Sequence, residues 1–132
     1  MDGRALAFLG AFLLILPACG GDHRSAPSTF SGIWTGHTRR LIVGPDGRGR
    51  EIVDSGCCHR AITARFRVLH VSGNSANAEA AIRFTYFWSE KGAYRRPPRA
   101  GDVATLRLRH GVVSDEATMV TFCAINVDKC GL

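Results

Sequence analysis

Between Glu79 and Ser89 the large apolar side chains fall two residues apart. Ala80, Ile82, Phe84, Tyr86 and Trp88 share one parity, and Glu79, Arg83, Thr85 and Ser89 take the other. A helix would scatter that set around its circumference, whereas a strand places it on one side. Phe87 breaks the pattern. The stretch from Ala61 to Val71 repeats it, with Ile62, Ala64, Phe66 and Val68 alternating against Thr63, Arg65 and Arg67. Here the parity slips at Leu69 and Val71, which predicts a bulge or a strand end. Val103 to His110 is a third such run, with Ala104, Leu106 and Leu108 against Thr105, Arg107 and Arg109. One apolar and one polar face per strand is the mark of an antiparallel sheet with a wet side.

The connections are short and carry turn chemistry. Phe30 to Gly36 starts the folded part, with Phe30 and Trp34 on one face and Gly32 between them. Thr38–Val43 and Arg50–Asp54 flank Pro45-Asp46-Gly47, where Pro sets one torsion and Gly accepts positive φ, so 38–54 reads as a hairpin. Ser72 to Asn77 is a turn, 90–102 a long loop, and His110-Gly111 a tight turn. Val112-Val113 begins the return, Asp115-Glu116 interrupts it, and Ala117 to Ile125 resumes as the last strand. No stretch makes a convincing amphipathic helix. The expectation is an all-β domain of six to eight strands, an antiparallel meander closed into a small barrel or folded into a sandwich. A barrel this small fills its interior with its own side chains, so a roomy pocket does not follow from the shape.

Ahead of that domain lies a different kind of segment. Arg4 and the free amine precede an apolar run, Ala5 to Leu16, interrupted only by Gly10. It is too short for about 30 Å of hydrocarbon and matches a signal-peptide core. The run ends in Leu16-Pro17-Ala18-Cys19, a lipoprotein cleavage box. The reading is a signal peptide over 1–18, a tether over 19–29 beginning at a lipidated Cys19, and a β domain over 30–132. A plain secretory signal is the alternative. Acylation of Cys19 anchors the protein to the extracytoplasmic face of the cell membrane, two or more chains sufficing for stable attachment.

Export bears on the cysteines. Cys57, Cys58, Cys123 and Cys130 remain after Cys19, an even number in an oxidising space, which predicts two disulfides. Bridges from Cys123 and Cys130 back to the 57–58 pair would close loops of about 65–70 residues, each contributing on the order of 4 kcal/mol. A metal centre is not expected from Cys57-Cys58-His59, because adjacent cysteines chelate poorly. The net charge of +6 comes mostly from arginines spread along the chain and reads as a generic solvated surface rather than a nucleic-acid site.

The Phe30-x-Gly32-x-Trp34 start resembles the first strand of lipocalins and avidin-type barrels. That resemblance implies a tryptophan plugging one barrel end and a late-strand arginine, Arg107 or Arg109, packed over it. More widely, Trp34 to Arg39, Asp46 to Gly49, Ser55 to Cys58 and Gly101-Asp102 before Thr105 to Leu108 resemble small exported actinobacterial lipoproteins without assigned activity. This similarity implies location and a β fold and supplies no chemistry.

No Gly-x-Ser-x-Gly elbow or Cys-x-x-Cys motif appears, and His37, His59, His70 and His110 read as turn or surface residues. The expectation is therefore a binding protein rather than an enzyme, without a cofactor. In one version an apolar ligand or lipid meets Trp34, His37, Phe66, Phe84, Tyr86 and Arg107. In the other the core is filled and the basic loop Arg95-Arg96-Pro97-Pro98-Arg99 contacts another envelope protein.

Overall fold

A computed structural model describes residues 29–56 and 58–125. The expected signal peptide, the tether with Cys19, and Cys57 and Cys130 lie outside the described residues.

The domain is a closed antiparallel barrel of eight strands in sequence order. They are β1 (Gly32–Gly36), β2 (Arg39–Val43), β3 (Arg48–Ser55), β4 (His59–Gly73), β5 (Asn77–Ser89), β6 (Val103–Arg109), β7 (Val112–Asp115) and β8 (Val120–Ala124). Each strand pairs with the next, and β8 returns to β1 through Trp34↔Ala124 and Thr35↔Cys123. Closure resolves the choice between barrel and sandwich and leaves no sheet edge.

The turns follow their chemistry. Gly47 takes φ 78°, and the Asp46 carboxylate accepts the Arg48 amide at 3.0 Å. His110 and Gly111 both take positive φ, 47° and 80°, the twist that suits a two-residue hairpin. The register of the first hairpin sets Leu41 opposite Glu51 and Val43 opposite Gly49.

Inward positions fill the barrel. Phe30, Phe66, Phe84, Phe122, Leu41, Ile82, Leu106, Leu108, Val43 and Val113 are all fully buried. Gly49 has no side chain because the Phe66 ring of the neighbouring strand already occupies that place: a Cβ there would sit 2.1 Å from the ring.

Two bulges correct the expected parity. Leu69 is skipped between the pairs Val68↔Ile82 and His70↔Ala81, the slip that the sequence predicts, and it turns outward while Val71 packs against the core. Thr85 is skipped between Phe66↔Phe84 and Arg65↔Tyr86. That flips the end of β5, so Tyr86 and Trp88 face outward, 45% and 44% exposed. Phe87, the residue that broke the alternation, packs against the core instead.

Candidate functional site

The positions expected to form an apolar ligand site do not converge. Trp34, Phe66 and Phe84 are packed in the barrel core, whereas Tyr86 stands on the outer wall with the Arg65 guanidinium 5.7 Å from its ring. His37 is exposed in the β1–β2 turn. Among the described residues, neither Arg107 nor Arg109 covers the tryptophan. The Trp34 indole N–H donates to the Phe30 carbonyl at 2.8 Å. Arg107 lies outside, bonded to Glu79 at 3.0 Å and Glu116 at 2.8 Å. Arg109 shares Glu79 at 3.1 Å.

At one end of the barrel the core turns polar. Glu51 projects inward from β3, its orientation following from its cross-strand partner Leu41. Asp115 ends β7 and Thr118 lies in the turn to β8, and all three are buried. The Thr118 hydroxyl donates to Glu51 Oε1 at 2.9 Å. Asp115 Oδ1 accepts the Ala117 amide at 2.8 Å and the Thr118 amide at 3.4 Å, which holds the turn shut. Glu51 Oε2 and Asp115 Oδ2 are buried without any other partner among the described residues. One proton shared between the two carboxyls would satisfy both. Accordingly Glu51 is pushed well above the usual carboxylate range, first by burial and then by the hydrogen bond and charge of Asp115, with the Thr118 hydroxyl pulling the other way.

Two neighbouring carboxyls, one of them pushed above its usual range, are the equipment of acid–base catalysis. Here neither carboxyl has any exposed surface. Tyr94, from the 90–102 loop, covers the pair. Its hydroxyl donates to the Thr118 carbonyl at 2.9 Å, and its ring meets Phe87 edge-on with centroids 6.0 Å apart. Burial, then the charges of Glu51 and Asp115, push its phenol up to about 12.

Tyr94 thereby moors the basic loop. The far end of that loop is tied as well: Gly101 N–H donates to the Phe84 carbonyl at 2.7 Å and Phe84 N–H to the Asp102 carbonyl at 2.9 Å. Asp102 Oδ2 accepts the Arg99 amide at 2.9 Å. Between the two moorings Arg95, Arg96, Pro97, Pro98 and Arg99 line a cleft of about 630 Å³ with Phe84, Asp102, Val103, Ala104 and Ala117. The three guanidiniums make no ion pair among the described residues.

Glu51 escaped sequence reading because Arg50 and Glu51 are both charged, and hydropathy alone does not say which points inward. Register could have found it: the turn at Pro45-Asp46-Gly47 pairs position 51 with inward-facing Leu41.

Fold and site together define a side-chain-filled, eight-stranded meander barrel with a buried carboxyl pair and a moored basic loop. No protein-family model, curated protein or solved structure matches the chain.

Proposed function

We propose that the protein is a lipid-anchored interaction module of the cell envelope, with contact to an acidic segment of another envelope protein made through Arg95, Arg96 and Arg99. The observation that carries this reading is the cleft formed by a loop tied at both ends, lined by three guanidiniums that make no ion pair among the described residues. A stiff, pre-shaped cationic cleft loses little order on binding, and guanidiniums suit carboxylate partners. The filled interior favours this version over an apolar ligand held inside the barrel. Anchoring through Cys19, export past residue 18 and two disulfides among Cys57, Cys58, Cys123 and Cys130 belong to the same reading. The resemblance to exported actinobacterial lipoproteins points to the same location.

The test places a photo-crosslinking side chain at Arg96 and, as a control, at Arg60 on β4, in the native host. A discrete adduct from position 96 that disappears when Arg95 and Arg99 become Glu supports the proposal. Equal adducts from both positions, or none from either, overturn it. Labelled palmitate retained by the wild type and lost in Cys19→Ala supports the anchor, and no labelling of the wild type rejects it.

A further inference from the structure

The arginines that look scattered along the chain are gathered on one wall. Strand register places Arg48 opposite Arg67 and Arg50 opposite Arg65 across β3 and β4. It then places Arg67 opposite Arg83 and Arg65 opposite Tyr86 across β4 and β5. Five exposed arginines thus occupy two adjacent rows on three neighbouring strands. With strands about 4.8 Å apart and about 3.4 Å per residue, the cluster is about 10 Å across. Like charges placed directly opposite one another destabilise a sheet, so this arrangement opposes folding.

The barrel shows elsewhere how it neutralises such charge. On the outer wall of β5–β6, Arg107 and Arg109 are laced to Glu79 and Glu116. Around Arg48, Arg50, Arg65, Arg67 and Arg83 the sole carboxylate paired among the described residues is Asp46, 3.5 Å from Arg48 and well exposed. The other four guanidiniums have no acidic partner among those residues.

Two further features give the wall a direction. Arg48, Arg50, Arg65 and Arg67 rim a shallow hollow of about 420 Å³, with Ile42, Phe66 and Thr85 among the apolar and polar groups lining it. Next to it stand Tyr86 and Trp88, turned outward by the bulge at Thr85. Amphipathic aromatics beside cationic side chains are the residues that settle at a bilayer's headgroup level.

We infer that the β3–β5 wall docks on an anionic bilayer, with lipid phosphates seated among Arg48, Arg50, Arg65, Arg67 and Arg83 and with Tyr86 and Trp88 lying at the headgroup level. This goes beyond the protein-contact reading, uses a different surface, and rests on it in one respect, the anchor. A tether over residues 20–29 reaches about 35 Å at full extension, which keeps this wall within touching range of the membrane. Docking by the wall would fix which way the Arg95–Arg99 cleft faces.

The experiment reconstitutes the processed, acylated protein into vesicles of phosphatidylcholine with brominated acyl chains, with or without phosphatidylglycerol. Trp34 is buried in the barrel and Trp88 is half-exposed, so Trp88→Phe identifies the responding indole. Strong quenching of Trp88 in the anionic vesicles and weak quenching in the neutral ones is expected. About 0.5 M salt should abolish the difference, because screening acts within a few ångströms at that strength. Arg50→Gln and Arg65→Gln should each weaken docking about five-fold, with Arg95→Gln as the control that leaves it unchanged. Equal quenching in both lipid compositions, or none in either, overturns the inference, as does quenching that Arg95→Gln removes and the wall variants keep. If the wall variants misfold, the salt titration of the wild type decides alone. Failure of the anchor is read separately, as protein recovered without label from palmitate. The soluble protein then faces the same anionic and neutral vesicles.

Discussion

Replacing Glu51 by Gln should stabilise the barrel by an amount that grows with pH. A glutamine has the shape of the protonated acid: its amide N–H₂ can donate to Asp115 as the acid does, and its carbonyl can accept the Thr118 hydroxyl that now lies 2.9 Å from Glu51 Oε1. The difference lies in the unfolded chain, where Glu51 loses its proton near the ordinary value of 4.5. The folded barrel holds that proton to higher pH, so the native state binds more protons than the unfolded one across the interval. Stability supplied by the wild-type side chain is therefore complete below pH 4.5 and declines as pH rises toward the folded value. Each unit of that interval removes about 1.4 kcal/mol, and the glutamine loses nothing. The variant should match the wild type at about pH 4 and then pull ahead steadily as pH rises through the interval. Urea denaturation under non-reducing conditions, at half-unit steps from about pH 4 to 8, measures it as a shift in midpoint at constant slope. Groups remote from the pair titrate alike in both proteins and drop out of the difference. A gap that stays flat with pH, or a variant less stable throughout, would refute the shared-proton account. Glu51→Ala gives the contrast: it leaves Asp115 buried without its partner and should cost about 3–5 kcal/mol.

Phe66→Ala should lose about 3–5 kcal/mol in the same denaturation assay, since the ring fills both its own place and the one Gly49 leaves open. Gly49→Ala should also be strongly destabilised, because the new methyl would need the space of a packed ring. Tyr94→Phe removes the bond to the Thr118 carbonyl and should loosen the 90–102 loop, seen as faster amide exchange at Arg95 and Arg96 with the barrel unchanged. In absorbance titration the Tyr94 phenolate should appear only near pH 12. Because its folded value lies above the ordinary 10.0, its contribution to stability is complete below pH 10 and fades as pH approaches 12.

The strands were legible because their side chains alternate over long enough stretches, and the hairpins because Gly47 and Gly111 sit where positive φ is needed. Closure was legible only as one of two outcomes, barrel or sandwich, since the choice depends on β1 meeting β8, a pairing with no local signature. The end of β5 misled for a definite reason. One skipped residue, Thr85, reverses the parity of everything after it, and a run such as Phe84-Thr85-Tyr86-Phe87-Trp88 offers apolar residues to both faces. The basic wall was hidden similarly. Its arginines come from three strands, and their adjacency is a property of register that sequence spacing does not display. Glu51 shows that a charged residue on an apolar face is worth checking against its cross-strand partner before it is assigned to solvent.

The ring of strands is completed by its thinnest join. β1 and β8 share two register pairs, and Arg39 on β2 reaches over the bare backbone of Gly36 to bond Thr121 on β8. Since a ribosome releases β1 first and β8 last, nearly the whole domain must exist before this join can form. Until then the chain is an open ribbon with two unsatisfied borders, the form most apt to pair with a neighbour. Arg39 acts as a clasp on that interval, and its loss would show itself less in the finished protein than in how much of the newly made chain arrives at the finished state.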